Sequence, residues 1–153
     1  MNPAFESKYI LVVCEGNHCR SPIAMGLLGE ALDGGFQVES AGLAAREGYP
    51  AHPEVLRLMA ARNIDLSGHL SRQFTPTLAL ASDLILVMDR MQKDWCENMV
   101  PSTRGRVFLL GHWQRPSPTE IEDPFPLGPE AFPATLEVIQ QCVSNWIPHL
   151  IAV

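Results

Sequence analysis

The sequence predicts an α/β fold, with a mostly four-stranded parallel sheet doubly wound by helices on both faces. Three observations predict it. Short, nearly continuous apolar runs at residues 9–13 (YILVV), 83–88 (DLILVM) and 106–110 (RVFLL) read as strands covered on both sides. Segments with apolar residues at helical spacing lie between them. Their alternation is that of parallel strands joined by crossover helices. With 153 residues, 46% of them hydrophobic and 18% charged, the chain reads as one domain over 1–153 with enough apolar material for a core.

The first strand, 9–13, ends at Cys14. Ser21 as N-cap and Pro22 at the first helical position then open a helix with Ile23, Leu27, Leu28, Ala31 and Leu32 at helical spacing. Asp33, Gly34 and Gly35 stop it. Residues 36–39 form a short strand candidate, and 40–53 read as a loop. A second helix is expected over 54–62, with Val55, Leu58 and Met59 inward and Asn63 at its stop. A short helix is expected near Thr75 and Pro76. The strand 83–88 precedes a helix over 90–99 that ends before Pro101, and 106–110 is the next strand. Between residues 115 and 133, six of 19 residues are proline, so this stretch is a stiff loop. The last helix is expected from 131 to about 146, because Phe132, Leu136, Ile139, Val143 and Trp146 step by four, three, four and three. Right-handed crossovers would line up the strand C-termini on one edge, where ligands bind, and Cys14 begins at such an edge.

Composition excludes several function classes. Seventeen acids against 11 Lys and Arg give a formal charge of −6, the wrong sign for a general nucleic-acid binder. No apolar run approaches the roughly 20 residues of a membrane span, so the chain is not expected to be membrane-embedded. The N-terminus lacks the charged, apolar and small-residue order of a secretion signal, and the cytoplasm is the expected location. Four cysteines, at 14, 19, 96 and 142, are too sparse for a disulfide framework and wrongly spaced for zinc. No metal or cofactor is expected. Cys96 and Cys142 read as small buried hydrophobes, and His52, His112 and His149 as structural residues.

Residues 14–21 (CEGNHCRS) carry chemistry. A loop curling at a helix N-terminus points backbone N–H groups inward and makes an anion site. The phosphate-binding residues would be Glu15, Gly16, Asn17, His18, Cys19, Arg20 and Ser21, with Gly16 letting the backbone turn. Arg20 can grip two phosphate oxygens with its planar fork. Helix N-termini and nearby cations stabilise thiolates, the nucleophilic form of cysteine, so the loop that binds a dianion is also where Cys14 becomes a nucleophile. Cys19, inside the same loop, is a candidate redox partner that would form a disulfide with an oxidised Cys14.

The chain resembles the low-molecular-weight protein tyrosine phosphatases. The resemblance rests on residues 13–22, Ser40-Ala41-Gly42, residues 69–73 (HLSRQ), residues 84–89 (LILVMD) and the pair Asp123-Pro124, in the family's order. Residues 104–106 (RGR) and 110–113 (LGHW) look most like the bacterial branch that accompanies exopolysaccharide export. The resemblance implies that Cys14 attacks phosphorus to give a cysteinyl-phosphate. Arg20 and the loop amides would hold the equatorial oxygens, and Ser21 would hydrogen-bond the sulfur. Asp123 would protonate the leaving tyrosyl oxygen and then activate water. Asn17, Ser21, Ser40 and His69 would form a supporting network. The implied partner is a phosphotyrosine protein, a membrane-associated tyrosine autokinase, with inorganic phosphate as product.

Several positions depart from the pattern. Glu15 and His18 stand where apolar residues are usual, Phe125 where tyrosine is usual, and Arg46 where a large apolar wall residue is common. Arg46 and Phe125 are therefore the candidate substrate wall, and these changes bear on substrate preference. A protein-arginine phosphatase shares the loop and is the alternative, as is a non-catalytic phosphoprotein-binding module. A thiol-coupled arsenate reductase would need two further cysteines close together, and Cys96 and Cys142 are 46 residues apart.

Overall fold

Residues 8–151 are described by a computed structural model. The N-terminal stretch read for a secretion signal lies largely in residues 1–7, outside the described residues, as does the end of the expected domain at 152–153. One parallel sheet runs in the order β2-β1-β3-β4, from β1 (Lys8–Cys14), β2 (Phe36–Gly42), β3 (Leu84–Val87) and β4 (Val107–Leu109). Period-two alternation divides β1 between two cores. Ile10 and Val12 pack into the layer built by α1 (Arg20–Ala31), α2 (Pro53–Ala60) and α5 (Phe132–Ile151). Leu11 and Val13 pack into the layer with α3 (Pro76–Ala81) and α4 (Arg90–Met99). The expected double winding is therefore observed. Among the described residues, no helix is long and apolar enough to cross a membrane, and no cluster of three or more His, Cys, Asp or Glu residues is placed to hold a metal ion.

The strand order positions the site. From β1 the chain crosses outward to β2, then returns past β1 to β3. The order thus reverses beside β1, and a crevice opens outside its C-terminal end. Cys14, the last residue of β1, stands at that crevice.

The chain departs from several local expectations. The first helix begins at Arg20 with Cys19 as its N-cap and no side-chain cap, so Ser21 is not the cap; its hydroxyl is engaged by Cys14 and Asn17 instead. β2 extends to Gly42, beyond the expected end at 39, because Val12, Val13 and Cys14 of β1 continue its ladder with Ser40, Ala41 and Gly42. The 115–133 loop contains two short 3-10 turns, Phe125–Leu127 and Pro129–Ala131, joined at Gly128 with φ 97. The last helix passes through Pro148 to Ile151 rather than ending near Trp146. Pro148 removes one helical hydrogen bond, while the next residue, His149, stacks flat on Trp113 at 3.6 Å and holds the final turn against the body. Val55 and Met59 are buried as expected, whereas Leu58 is only partly so, and His52 caps α2 by accepting the Glu54 N–H at 3.0 Å.

The end of β2 lies against the loop that leaves β1. A Cβ on Gly42 would sit 2.7 Å from the Glu15 carbonyl oxygen, 2.8 Å from the Asn17 nitrogen and 2.9 Å from the Gly16 carbonyl carbon. Gly16, expected to supply the turn, does not: a Cβ there meets only His18 Cβ at 3.8 Å, and the left-handed residue is Asn17, with φ 55. Asparagine tolerates that conformation better than most side chains. Gly42→Ala is expected to cost about 1–3 kcal/mol because backbone must move, while Gly16→Ala stays within about 0.5 kcal/mol; urea unfolding of the two variants checks the contrast.

Candidate active site

Asn17 is wholly buried and organises the loop. Its Oδ1 accepts the Arg72 N–H at 2.9 Å, which fixes the orientation of the amide. Nδ2 therefore donates to Ser21 Oγ at 2.8 Å and to Ser40 Oγ at 2.9 Å. With Ser21 Oγ accepting from Asn17, its own proton is left for Cys14 Sγ, 3.0 Å away. A hydroxyl proton aimed at sulfur stabilises negative charge there. Behind the loop, His69 Nε2 donates to the Asn17 carbonyl at 2.9 Å.

The loop carbonyls turn outward. Those of Cys14, Glu15 and His18 accept the N–H groups of Leu43, Ala44 and His52 at 3.0, 2.8 and 3.0 Å. The N–H groups of residues 16–20 find no protein acceptor among the described residues. Backbone donors are rarely left unpaired where they are buried, so this concave set of N–H groups at the start of α1 suits an anion. Arg20, nearly buried, adds its guanidinium and is braced by donating from Nη1 to the Ile121 carbonyl at 2.7 Å. That bond also draws the 121–123 segment to the loop.

A cavity of about 410 Å³ opens here, within the range of small-ligand sites. Cys14, Glu15, Gly16, His18, Cys19, Arg20, Arg46, Asp123 and Phe125 all line it, bringing together most of the residues singled out in the sequence. Asn17, Ser21, Ser40 and His69 stand behind the wall as its hydrogen-bonded backing. Asp123 is half-buried and accepts the Phe125 N–H on Oδ1 at 3.0 Å, an Asx turn that leaves Oδ2 for other chemistry. Glu15 is exposed at the rim.

Tyr49 and Ser71 also line the cavity and were not found from sequence. Arg46 lines the cavity as expected, and beside it Tyr49 adds an aromatic wall, carrying the Arg46 guanidinium 4.5 Å over its ring and accepting from it at 3.0 Å. Ser71 fixes this turn, accepting from the Tyr49 N–H at 3.1 Å and donating to the Arg46 carbonyl. Opposite chemistry comes from two imidazoles against Phe125, with His18 at 6.1 Å and His52 at 5.8 Å between ring centroids. Since the Pro50 carbonyl can only accept, His18 carries a proton on Nδ1, 3.0 Å from that oxygen. His52 was expected to be purely structural, and its ring does stack on Phe132 at 4.5 Å, but it also touches the cavity wall.

Burial pushes the Cys19 thiol up to about 12, with the nearby Cys14 and Asp123 charges acting in the same direction. Cys96 and Cys142 are likewise buried and pushed up, as small core residues. Burial also holds His69 below the ordinary histidine range, against the opposing bond to Asn17, with His18 and Arg72 lowering it further. His52 is lowered by burial and then by His18, with Glu54 opposing.

A family profile described as low molecular weight phosphotyrosine protein phosphatase matches residues 9–152. The chain is 44% identical over 143 residues to a Ralstonia nicotianae protein described as "Probable low molecular weight protein-tyrosine-phosphatase EpsP", covering 94% of this chain and 96% of that one. It is similar to the solved tyrosine phosphatase Wzb from Escherichia coli K30 in complex with sulphate, at 34% identity and a TM-score of 0.86, covering 94% and 99%. The arginine phosphatase YwlE from Geobacillus stearothermophilus superposes with a TM-score of 0.87 at 28% identity, covering 94% and 92%.

The two lowered histidines set a pH dependence. A histidine whose folded value is depressed contributes stability that is complete above about pH 6.5 and lost as pH falls through the folded value. The urea midpoint is expected to fall on acidification below that point, and His69→Gln, whose amide still donates to the Asn17 carbonyl, is expected to flatten the fall.

Proposed function

The chain belongs to the low molecular weight phosphotyrosine protein phosphatase family, and from that premise we propose how its own residues hydrolyse phosphotyrosine. The observation that carries the reading is the convergence of Cys14, Arg20 and Asp123 on one cavity, with Ser21 Oγ 3.0 Å from the Cys14 sulfur. The phosphoryl group is held by the inward N–H groups and the Arg20 fork, which follow its oxygens as charge shifts in the transition state. Cys14 attacks phosphorus in line, and the phosphorus–oxygen bond to the tyrosyl group breaks as the sulfur–phosphorus bond forms. Asp123 gives its proton to the leaving oxygen, then takes one from the water that cleaves the cysteinyl-phosphate and releases inorganic phosphate. Ser21 stabilises the sulfur as attacking and departing thiolate. Asn17, Ser40 and His69 keep the loop in shape.

Tyr49 and Phe125 offer aromatic walls for the ring of phosphotyrosine. The substrate is a phosphotyrosine protein, and the resemblance to the exopolysaccharide-associated branch favours a membrane-associated tyrosine autokinase acting from the cytoplasmic side. Cys19 stands as a redox partner. Peroxide would oxidise Cys14 to a sulfenic acid, and the Cys19 sulfur would displace water to give a disulfide. While Cys14 is charged it raises the Cys19 thiol, and that effect ends on oxidation.

Cys14→Ser is expected to lower p-nitrophenyl phosphate hydrolysis by about three orders of magnitude or more; retained activity removes the nucleophile assignment. Asp123→Asn is expected to slow phosphotyrosine turnover about 10²–10⁴-fold with inhibition by inorganic phosphate nearly unchanged, and normal turnover would refute the acid role. A phosphoarginine peptide turned over faster than its phosphotyrosine counterpart would replace the tyrosine reading by the arginine one. After peroxide, thiol should restore the parent more fully than Cys19→Ser; equal recovery counts against the disulfide.

A further inference from the structure

A second cavity of about 480 Å³ adjoins the first and shares Glu15, Arg20, Ala44 and Asp123 with it. Its far side is α4 and the 120–122 segment, through Met91, Trp95 and Glu122 among others. The surface of α4 here is apolar without being covered: Met91 is 77% exposed, Trp95 52% and Met99 41%. These residues recur every four positions, so they form one stripe along the helix, about 12 Å long at 1.5 Å per residue. That is the reach of about four residues of extended chain. Exposed apolar patches of this kind mark interaction surfaces.

We propose that this groove binds the polypeptide flanking the phosphotyrosine, and that it selects flanks carrying Lys or Arg beside an apolar side chain. The inference rests on the phosphatase reading above, since the groove opens directly into the cavity where the phosphoryl group would sit. A chain leaving that cavity along α4 passes Trp95 and Met91 within a few residues. Hydrolysis of a small phosphate ester needs none of these side chains.

Charge points to a basic flank. Among the described residues, Glu15 and Glu122 meet no cation in an ion pair. Glu120 is partly satisfied, accepting the Arg90 N–H at 2.8 Å with the guanidinium 3.7 Å away. Asp89 caps α4 through the Gln92 N–H at 2.8 Å. Arg20 is the other cation on this wall and is turned to the Ile121 carbonyl. The Trp95 face suits a guanidinium or ammonium group as well as an apolar one.

The test compares three substrates at low and at moderate salt: free phosphotyrosine, a phosphotyrosine peptide with Lys and Leu in the flanking positions, and one with Glu and Ser there. The basic-apolar peptide is expected to have a kcat/KM about tenfold above the acidic one, with the gap shrinking as salt rises. Trp95→Ala and Glu122→Gln should each lower kcat/KM for that peptide about fivefold and leave free phosphotyrosine unchanged. Equal hydrolysis of the two peptides overturns the proposal, as does an equal loss on peptide and free phosphotyrosine in the variants. So does a Trp95→Ala effect seen only as lost self-association in sedimentation, which would make a second copy of this chain the occupant. A parent inactive on free phosphotyrosine but folded overturns the phosphatase reading itself, and this one with it.

Discussion

The site depends on the amide of Asn17. Its oxygen is held by the Arg72 backbone N–H and its nitrogen passes that constraint to Ser21 and Ser40, while His69 holds the Asn17 backbone carbonyl from behind. Because Asn17 alone in the loop takes a left-handed backbone, the turn and the side-chain network are set by the same residue. Gly42 is the counterpart on the neighbouring strand, where only a hydrogen fits against the loop backbone. The carbonyls of Cys14, Glu15 and His18 are engaged by neighbouring segments, and the N–H groups of residues 16–20 are left without a protein acceptor among the described residues. An anion site needs this arrangement made in advance, since donors that must reorganise on binding contribute less.

An acidic chain can build such a site because the relevant field is local. The formal charge of −6 is spread over the molecule, and exposed charges farther apart than about 8–10 Å are largely screened. Arg20 and the aligned N–H groups of the first turn of α1 act at contact distance. The surrounding acids then bear on which polypeptides approach, while the loop bears on what is bound. The two tasks fall to different residues on adjoining walls.

Much of the fold was legible because the buried strands are short apolar runs and the helices carry regular spacing. α4 matches the expected 90–99 span, and its cap is Asp89. The errors have physical causes. Ser21 followed by Pro22 looks like a helix start, but the sulfur and Asn17 claim the hydroxyl that a cap would use. Ser40 to Gly42 has little intrinsic strand character, and pairing with β1 overrides it. The loop at residues 14–21 could be singled out because its residues are contiguous. Tyr49 and Ser71 could not, since they reach the cavity only through a turn stitched together by hydrogen bonds between distant segments. Met91 and Trp95 fall within the expected helix, but nothing local says which of its faces is left uncovered.

The bond from Arg20 to the Ile121 carbonyl joins groups 101 residues apart. Chains emerge from the ribosome N-terminus first, so the Asn17–Arg72 network is synthesised well before the carbonyl that braces Arg20. A nascent chain of that intermediate length holds the loop and its hydrogen-bonded backing without the carbonyl that braces the guanidinium. The guanidinium of Arg20 is therefore braced only once residue 121 has joined the fold.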